Sequence, residues 1–194
     1  MSAFDVAVLK FDEFNRVDPN REPVEGEMVA KELVYARRMS ERLQIFAPDA
    51  AEEVRLAARC QHIGRWQIPR TTFPADRKGY LMWRNKLKDH HAAIASKILT
   101  ESGYNQDMID KVRFLLLKKE LHHHKDTQLL EDVVCLVFIE HYLSDFAGKH
   151  DDDKVIDILR KTMKKMSPRC LGVARQLPVN SKIKSLLQRA IVNI

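Results

Sequence analysis

Apolar residues in this chain recur at spacings of three and four and nowhere alternate for long, which is the period of helices that bury one face. Phe4, Val8, Leu9, Phe11 and Phe14 predict a short first helix that stops before Asp18-Pro19, and a polar loop with Pro23 and Gly26 follows. Leu33, Ala36, Met39, Leu43 and Phe46 predict a second helix from about Glu27 to Pro48, after which Asp49 caps a third running to about Ile63. Residues 69–79 read as a loop, 81–101 as a long helix stopped by Gly103, and 106–118 as another helix. The stretch 126–146 is the most apolar and is expected to be central. Helices over 151–163, 167–176 and 181–192 complete an all-α pattern without internal repeats.

Composition narrows this picture. With 194 residues, the expectation is one helical domain over 1–194, with its core in about 27–147 and the helices of 151–193 packed on it. Only 6 Gly and 7 Pro suit long helices. No apolar run approaches the roughly 20 residues that span a bilayer, and Met1 to Lys10 does not resemble a secretory signal, so a cytoplasmic protein without membrane partners is expected. Cys60, Cys135 and Cys170 are odd in number and lie in apolar surroundings, as buried thiols do. Nothing in the sequence signals an oligomeric state.

The net charge of +6 invites a polyanion as partner, yet along most of the chain Lys and Arg alternate with Asp and Glu, as on solvated helix faces. One local exception is more telling. Residues 65–88 hold seven Lys and Arg, with only Asp76 and Asp89 among or beside them, and Trp66, Tyr80 and Trp83 are interspersed. Arg65, Arg70, Arg77 and Arg84 are suited to bidentate contact with phosphate, and the aromatic rings either stack on a base or pin the loop to the core.

The segment before that cluster, Ala57-Ala58-Arg59-Cys60-Gln61-His62-Ile63-Gly64-Arg65, is a small-residue helix ending in two polar side chains and then Ile-Gly-Arg. It resembles the second helix of HD-domain proteins, in which the polar pair is His-Asp. Lys31 to Met39, Trp66 to Arg70, Gly79 to Arg84, Leu130 to His141 and Lys161 to Ser167 together resemble the DUF4202 family over nearly the full length, itself similar to a divergent HD-superfamily relative. The resemblance implies an HD-like orthogonal fold and supplies no activity. An α/β synthetase core is excluded, because the chain has neither a Gly-rich nucleotide loop nor alternating strands.

Laid on the HD pattern, Glu32 falls at the first metal-binding His, Gln61 and His62 at the pair, and Glu140 at the last Asp. Two carboxylates, one imidazole and one amide offer a divalent cation the same formal charge as two His and two Asp, and the set suits Mn, Fe or Zn. Each position also has a structural explanation. Glu32 is a first-turn carboxylate, His62 a core histidine, and Glu140, on an apolar helix, needs a partner such as Arg37 or Arg65. The resemblance places His91 where a further His contacts phosphate, and Lys118 and Lys119 where phosphate charge or a solvated helix end fits. Glu131 and Asp132 are candidates for a polar layer behind the ligands, or first-turn acids of the apolar helix. His122 to His124 read as a polar loop.

Three functions follow as expectations. The first is a metal-dependent phosphohydrolase acting on a nucleotide or other small phosphorylated metabolite, with Glu32, His62 and His91 catalytic. The second is a non-catalytic HD-like protein that binds a phosphorylated or acidic ligand, or a protein partner. The third is an RNA-binding accessory protein using the basic face.

Overall fold

The computed structural model describes residues 1–191, and among these it has ten α-helices and one two-stranded hairpin. The all-α expectation holds, except for the hairpin. The chain forms two compact units, Met1–Lys119 and Glu120–Ile194.

The first unit opens with α1 (Ala3–Arg16), started by a reciprocal cap in which the Ser2 hydroxyl accepts from the Asp5 amide and the Asp5 carboxylate from the Ser2 amide. The polar loop with Pro23 and Gly26 and the expected first turn of the second helix fold instead into β1 (Arg21–Val24) and β2 (Glu27–Ala30), antiparallel with Arg21 opposite Ala30 and Val24 opposite Glu27. Glu25 and Gly26, both at positive φ (50° and 89°), make the two-residue turn that matches strand twist. Two four-residue strands are too short for alternation to register in the sequence.

The hairpin delays α2 (Lys31–Phe46) by four residues relative to the expected start at Glu27. Next comes α3 (Glu52–Arg59), which begins past Asp49; its N-cap is Ala51, and Glu52 and Glu53 supply the negative charge that favours a helix start. Two single-turn 3-10 helices cover Arg65–Gln67 and Arg70–Thr72. The long α4 (Arg77–Glu101) starts four residues before the expected Leu81 because the Asp76 carboxylate caps it, accepting from the Gly79 amide at 2.7 Å. Then α5 (Gln106–Leu116) packs along α3 and α4, and α1 lies across α2, α3 and α4. Phe11, Met39, Leu56, Ile63 and Leu99 are fully enclosed at the centre of this unit.

In the second unit, α6 (Lys125–Val137) is followed without a break by a π-helical turn (Phe138–Tyr142) and α7 (Leu143–Gly148). The expected single helix over 126–146 is thus one continuous run with a widened turn inside it. Asp151 and Ser167 cap α8 (Asp152–Met163) and α9 (Pro168–Ala174), while α10 (Ser181–Ile191) packs on α8 and α7. The expected end of the last helix, Val192, lies outside the described residues. Leu130, Leu136, Ile139, Leu143 and Leu159 form this unit's core. All three cysteines are free and buried, as expected. Among the described residues, no helix is long and apolar enough to cross a membrane.

Candidate functional site

The polar residues singled out around Gln61 assemble inside the first unit, beginning at the start of α2. Ala30, its N-cap, provides no side-chain bond, and buried Asp18 serves instead: one oxygen accepts from the Glu32 amide at 3.1 Å, the other from the Asn20 backbone and side chain at 2.9 Å. Asp18 thereby fixes the turn that carries Glu32 into the interior, where it is 6% exposed.

Glu32 faces two groups from the segment after α3. Its Oε1 lies 3.7 Å from Arg65 Nε and its Oε2 lies 3.6 Å from His62 Nδ1. Among the described residues, Oε2 has no hydrogen-bond partner. Burial raises the Glu32 carboxyl to about 7; Arg65 opposes that shift and the nearby charge of Asp18 adds to it.

His62 sits on an irregular turn, not on the helix expected to reach Ile63. The reason is local: α3 ends at Arg59, and Gly64 adopts φ +70°. A side chain at Gly64 would meet Ile94 Cδ1 at 2.6 Å, so both the backbone sign and the space require glycine there. The turn is held from outside by α4. His91 Nδ1 donates to the Ile63 carbonyl at 2.6 Å, and His90 Nε2 lies 3.2 Å from the next carbonyl, that of Gly64. Two adjacent histidines thus grip two consecutive carbonyls.

The imidazole of His62 stacks on Tyr35, with ring centres 4.0 Å apart and planes 14° from parallel. Its Nε2 is 3.3 Å from Arg65 Nη1. A guanidinium only donates, so His62 accepts at Nε2 and carries its proton at Nδ1, toward Glu32. Burial first, then the charges of Arg65, His91, Arg84 and Lys118, holds His62 well below the usual histidine range. His91 is depressed to about 3, chiefly by burial, with Arg65 and Arg84 contributing and the Ile63 bond opposing. Both rings are neutral at pH 7, and with Nδ1 donating, His91 keeps the lone pair on Nε2. Gln61 is also enclosed, and among the described residues its Oε1 has no hydrogen-bond partner.

The Arg and Trp residues divide by role. Arg65 lies over the Trp83 ring, 4.9 Å from its centre, while Trp83 is buried and donates to the Ile68 carbonyl at 2.8 Å. Trp66 packs against Phe14, ring centres 5.7 Å apart. Arg70 donates to the Phe73 carbonyl at 2.9 Å and the Asp76 carbonyl at 3.3 Å, closing the loop before α4. These three pin the loop. Arg84 and Lys118 are half-buried and act electrostatically on His62, Arg84 on His91 as well. Arg77, Tyr80 and Lys119 are exposed.

The remaining candidates belong to the second unit. Glu140 is on the π-helical turn, its Oε2 3.5 Å from His141 Nε2. Asp132 accepts from Ser167 N at 2.8 Å, Ser167 Oγ at 2.5 Å and Gln128 Nε2 at 2.9 Å, and Glu131 pairs with Lys165 at 3.4 Å. Both acids lie in the second turn of α6, past its first-turn acid Asp126, and they tie it to the start of α9 and to the turn that follows α8. The His run is partly structural: His124 caps α6 by accepting from the Thr127 amide at 3.3 Å. Among the described residues, no group of three or more His, Cys, Asp or Glu is arranged to hold a metal.

Sequence reasoning missed Asp18, Tyr35 and His90. Asp18 reads as a helix stop because it precedes Pro19, and nothing in a single sequence marks a ring that stacks across helices.

This is an all-helical protein whose first unit encloses a carboxyl and two neutral imidazoles among cations. The chain belongs to a family described as a domain of unknown function, DUF4202, whose model matches residues 5–187. No curated protein and no solved structure matches it.

Proposed function

We propose that the protein is a binding protein for a small phosphorylated ligand, a nucleotide or other phosphorylated metabolite, held in the first unit by Arg65, Arg84 and Lys118 above His62 and His91. One observation carries this reading: Arg65, Arg84 and Lys118 bear on His62, Arg65 and Arg84 also on His91, both imidazoles being neutral, and Arg65 on a carboxyl raised to about 7. The cluster has surplus positive charge, and a phosphate dianion neutralises it.

The reading includes descent from an HD-like fold, which implies a divalent metal at Glu32, Gln61, His62 and Glu140. The donor chemistry in the first unit does not fit one. Arg65 stands 3.7 Å from Glu32 and 3.3 Å from His62, so a fixed positive charge already faces both groups. This favours binding over metal-dependent hydrolysis.

A second reading, a phosphohydrolase, is favoured by Glu32 itself. A carboxyl at about 7 is suited to exchange a proton at neutral pH. Here the arginines neutralise charge on phosphate, and Glu32 takes the proton of an attacking water.

Untagged protein is titrated calorimetrically with nucleoside mono-, di- and triphosphates, sugar phosphates and inorganic phosphate. At least one is expected to bind, and Arg84→Gln to weaken it roughly 10- to 100-fold, as expected for hydrogen bonds to charged groups. No binding by any of them sinks the proposal. Phosphate release by wild type that Glu32→Gln abolishes moves the assignment to the second reading. Stoichiometric metal by elemental analysis, with turnover that depends on it, returns the metal-dependent enzyme.

A further inference from the structure

The start of α4 presents a surface that the ligand site does not use. Elsewhere among the described residues the large apolar side chains left exposed are single positions in the sequence, Met1, Leu9, Val17, Met28 and Ile45. Here three are consecutive: Tyr80, Leu81 and Met82, at 45%, 52% and 50% exposed. Arg77, Lys78 and Lys86 stand exposed around them.

The helix end that carries them is fixed in place. Asp76 caps it, and Gly79 packs on the preceding loop so closely that a side chain there would collide with the Pro74 carbonyl. Gly79, Trp83 and Leu87, four residues apart, form the buried stripe that holds α4 to the first unit, and the residues between them are left outside it. Nothing in the unit answers the charge. Arg77, Lys78 and Lys86 make no side-chain hydrogen bond or ion pair among the described residues, and Asp76, the acid nearest to Arg77 and Lys78 in sequence, is committed to the cap. Cations in a first helical turn oppose the helix dipole, so helix stability does not account for Arg77 and Lys78.

We propose that the start of α4 docks on an anionic bilayer surface, with Tyr80, Leu81 and Met82 entering the headgroup region and Arg77, Lys78 and Lys86 meeting lipid phosphate around them. Charge and geometry together select this occupant. A helix that seats in a protein groove lines up its anchors three and four residues apart on one face, whereas three consecutive residues fan over about 200° at 3.6 residues per turn. A fluid apolar medium accepts such a fan without shape complementarity. Tyrosine suits the headgroup level, having an apolar ring and a polar tip. A second copy of the chain would bring the same three cations against these, and a nucleic-acid backbone would leave Leu81 and Met82 without apolar contact. Docking on a bilayer needs no spanning helix, and among the described residues there is none.

Full-length protein is sedimented with vesicles of phosphatidylcholine alone and with vesicles containing about 30% phosphatidylserine, at roughly 50 and 200 mM salt. Binding is expected to the anionic vesicles only, and to weaken at the higher salt. The variant R77Q/K78Q/K86Q is expected to bind on the order of 100-fold more weakly, at roughly fivefold per cation. L81S/M82S is expected to bind roughly tenfold more weakly or worse, since less apolar surface enters the bilayer. All five positions are exposed, and circular dichroism checks that each variant keeps its fold. Neither variant touches Arg65, Arg84 or Lys118, so this proposal and the ligand site fail independently. The proposal is overturned by absence of binding to anionic vesicles at the lower salt, by equal binding to neutral ones, or by unchanged binding in either variant. A wild-type dimer in sedimentation velocity that L81S/M82S dissolves would assign the face to a second copy and overturn it as well.

Discussion

Asp132 and Glu32 are both enclosed carboxylates on helices, yet one is saturated and the other is not. Asp132 accepts three hydrogen bonds of 2.5 to 2.9 Å from Gln128 and Ser167, which engage both of its oxygens and join α6 to the start of α9. Among the described residues, Glu32 has only contacts of 3.6 and 3.7 Å, and one of its oxygens is left over. A buried polar group costs least when every lone pair is used. The saturated acid therefore serves the fold, and the unsaturated one is, on the reading proposed above, left for a ligand.

The comparison breaks most visibly in stability. Asp132→Ala strands the Ser167 amide and hydroxyl and the Gln128 side chain, and is expected to cost about 3 kcal/mol, within the range for breaking a buried network. Urea unfolding measures it. Glu32→Gln, by contrast, is expected to stay within about 1 kcal/mol of wild type at pH 7, because it removes a charge that burial already disfavours. A loss as large as that of Asp132→Ala would make Glu32 structural too.

Acid titration sharpens the contrast. His62 and His91 have folded values below their ordinary 6.5, so the stability they contribute is present above pH 6.5 and is lost as pH falls toward their folded values, about 3 for His91. Glu32 works in the opposite sense: with a folded value raised from 4.5 to about 7, it favours the fold at low pH and loses that contribution as pH rises through 7. Between pH 6.5 and 4.5 the two effects oppose each other, and two imidazoles outweigh one carboxyl. Wild type is expected to lose on the order of 2 kcal/mol over that window, and Glu32→Gln roughly twice as much. Equal slopes in the two proteins would remove Glu32 from the buried cluster.

The smallest effect concerns the loop. Arg70→Ala releases the Phe73 and Asp76 carbonyls at a partly exposed position and is expected to cost about 1 kcal/mol, with affinity for the phosphorylated ligand within a factor of two. Loss of binding comparable to that of Arg84→Gln would place Arg70 in the ligand site instead of the loop.

How much of this was visible in the sequence depends on range. The helices with regular three-and-four spacing are legible, as are caps such as Asp151 and Ser167, because their signals lie within one turn. The hairpin is not, since each strand offers only four residues and Glu25-Gly26 reads equally well as a loop turn. The α3 boundary at Arg59 escapes for another reason: His90 and His91 fix that turn from some thirty residues away in sequence. Within the cluster, the residue types at Glu32, His62 and His91 were legible, and so was the basic excess around them. The division of the arginines was not, because Arg65 differs from Arg70 only in what each happens to face after folding.

The grip of His91 on the Ile63 carbonyl also furnishes an internal probe. A ring N–H shared with a carbonyl at 2.6 Å and shielded from solvent exchanges slowly and resonates far downfield, away from the amide envelope. One proton signal then reports on the turn that carries His62 and Arg65, and shifts when anything seats against them, with no label and no knowledge of the ligand required.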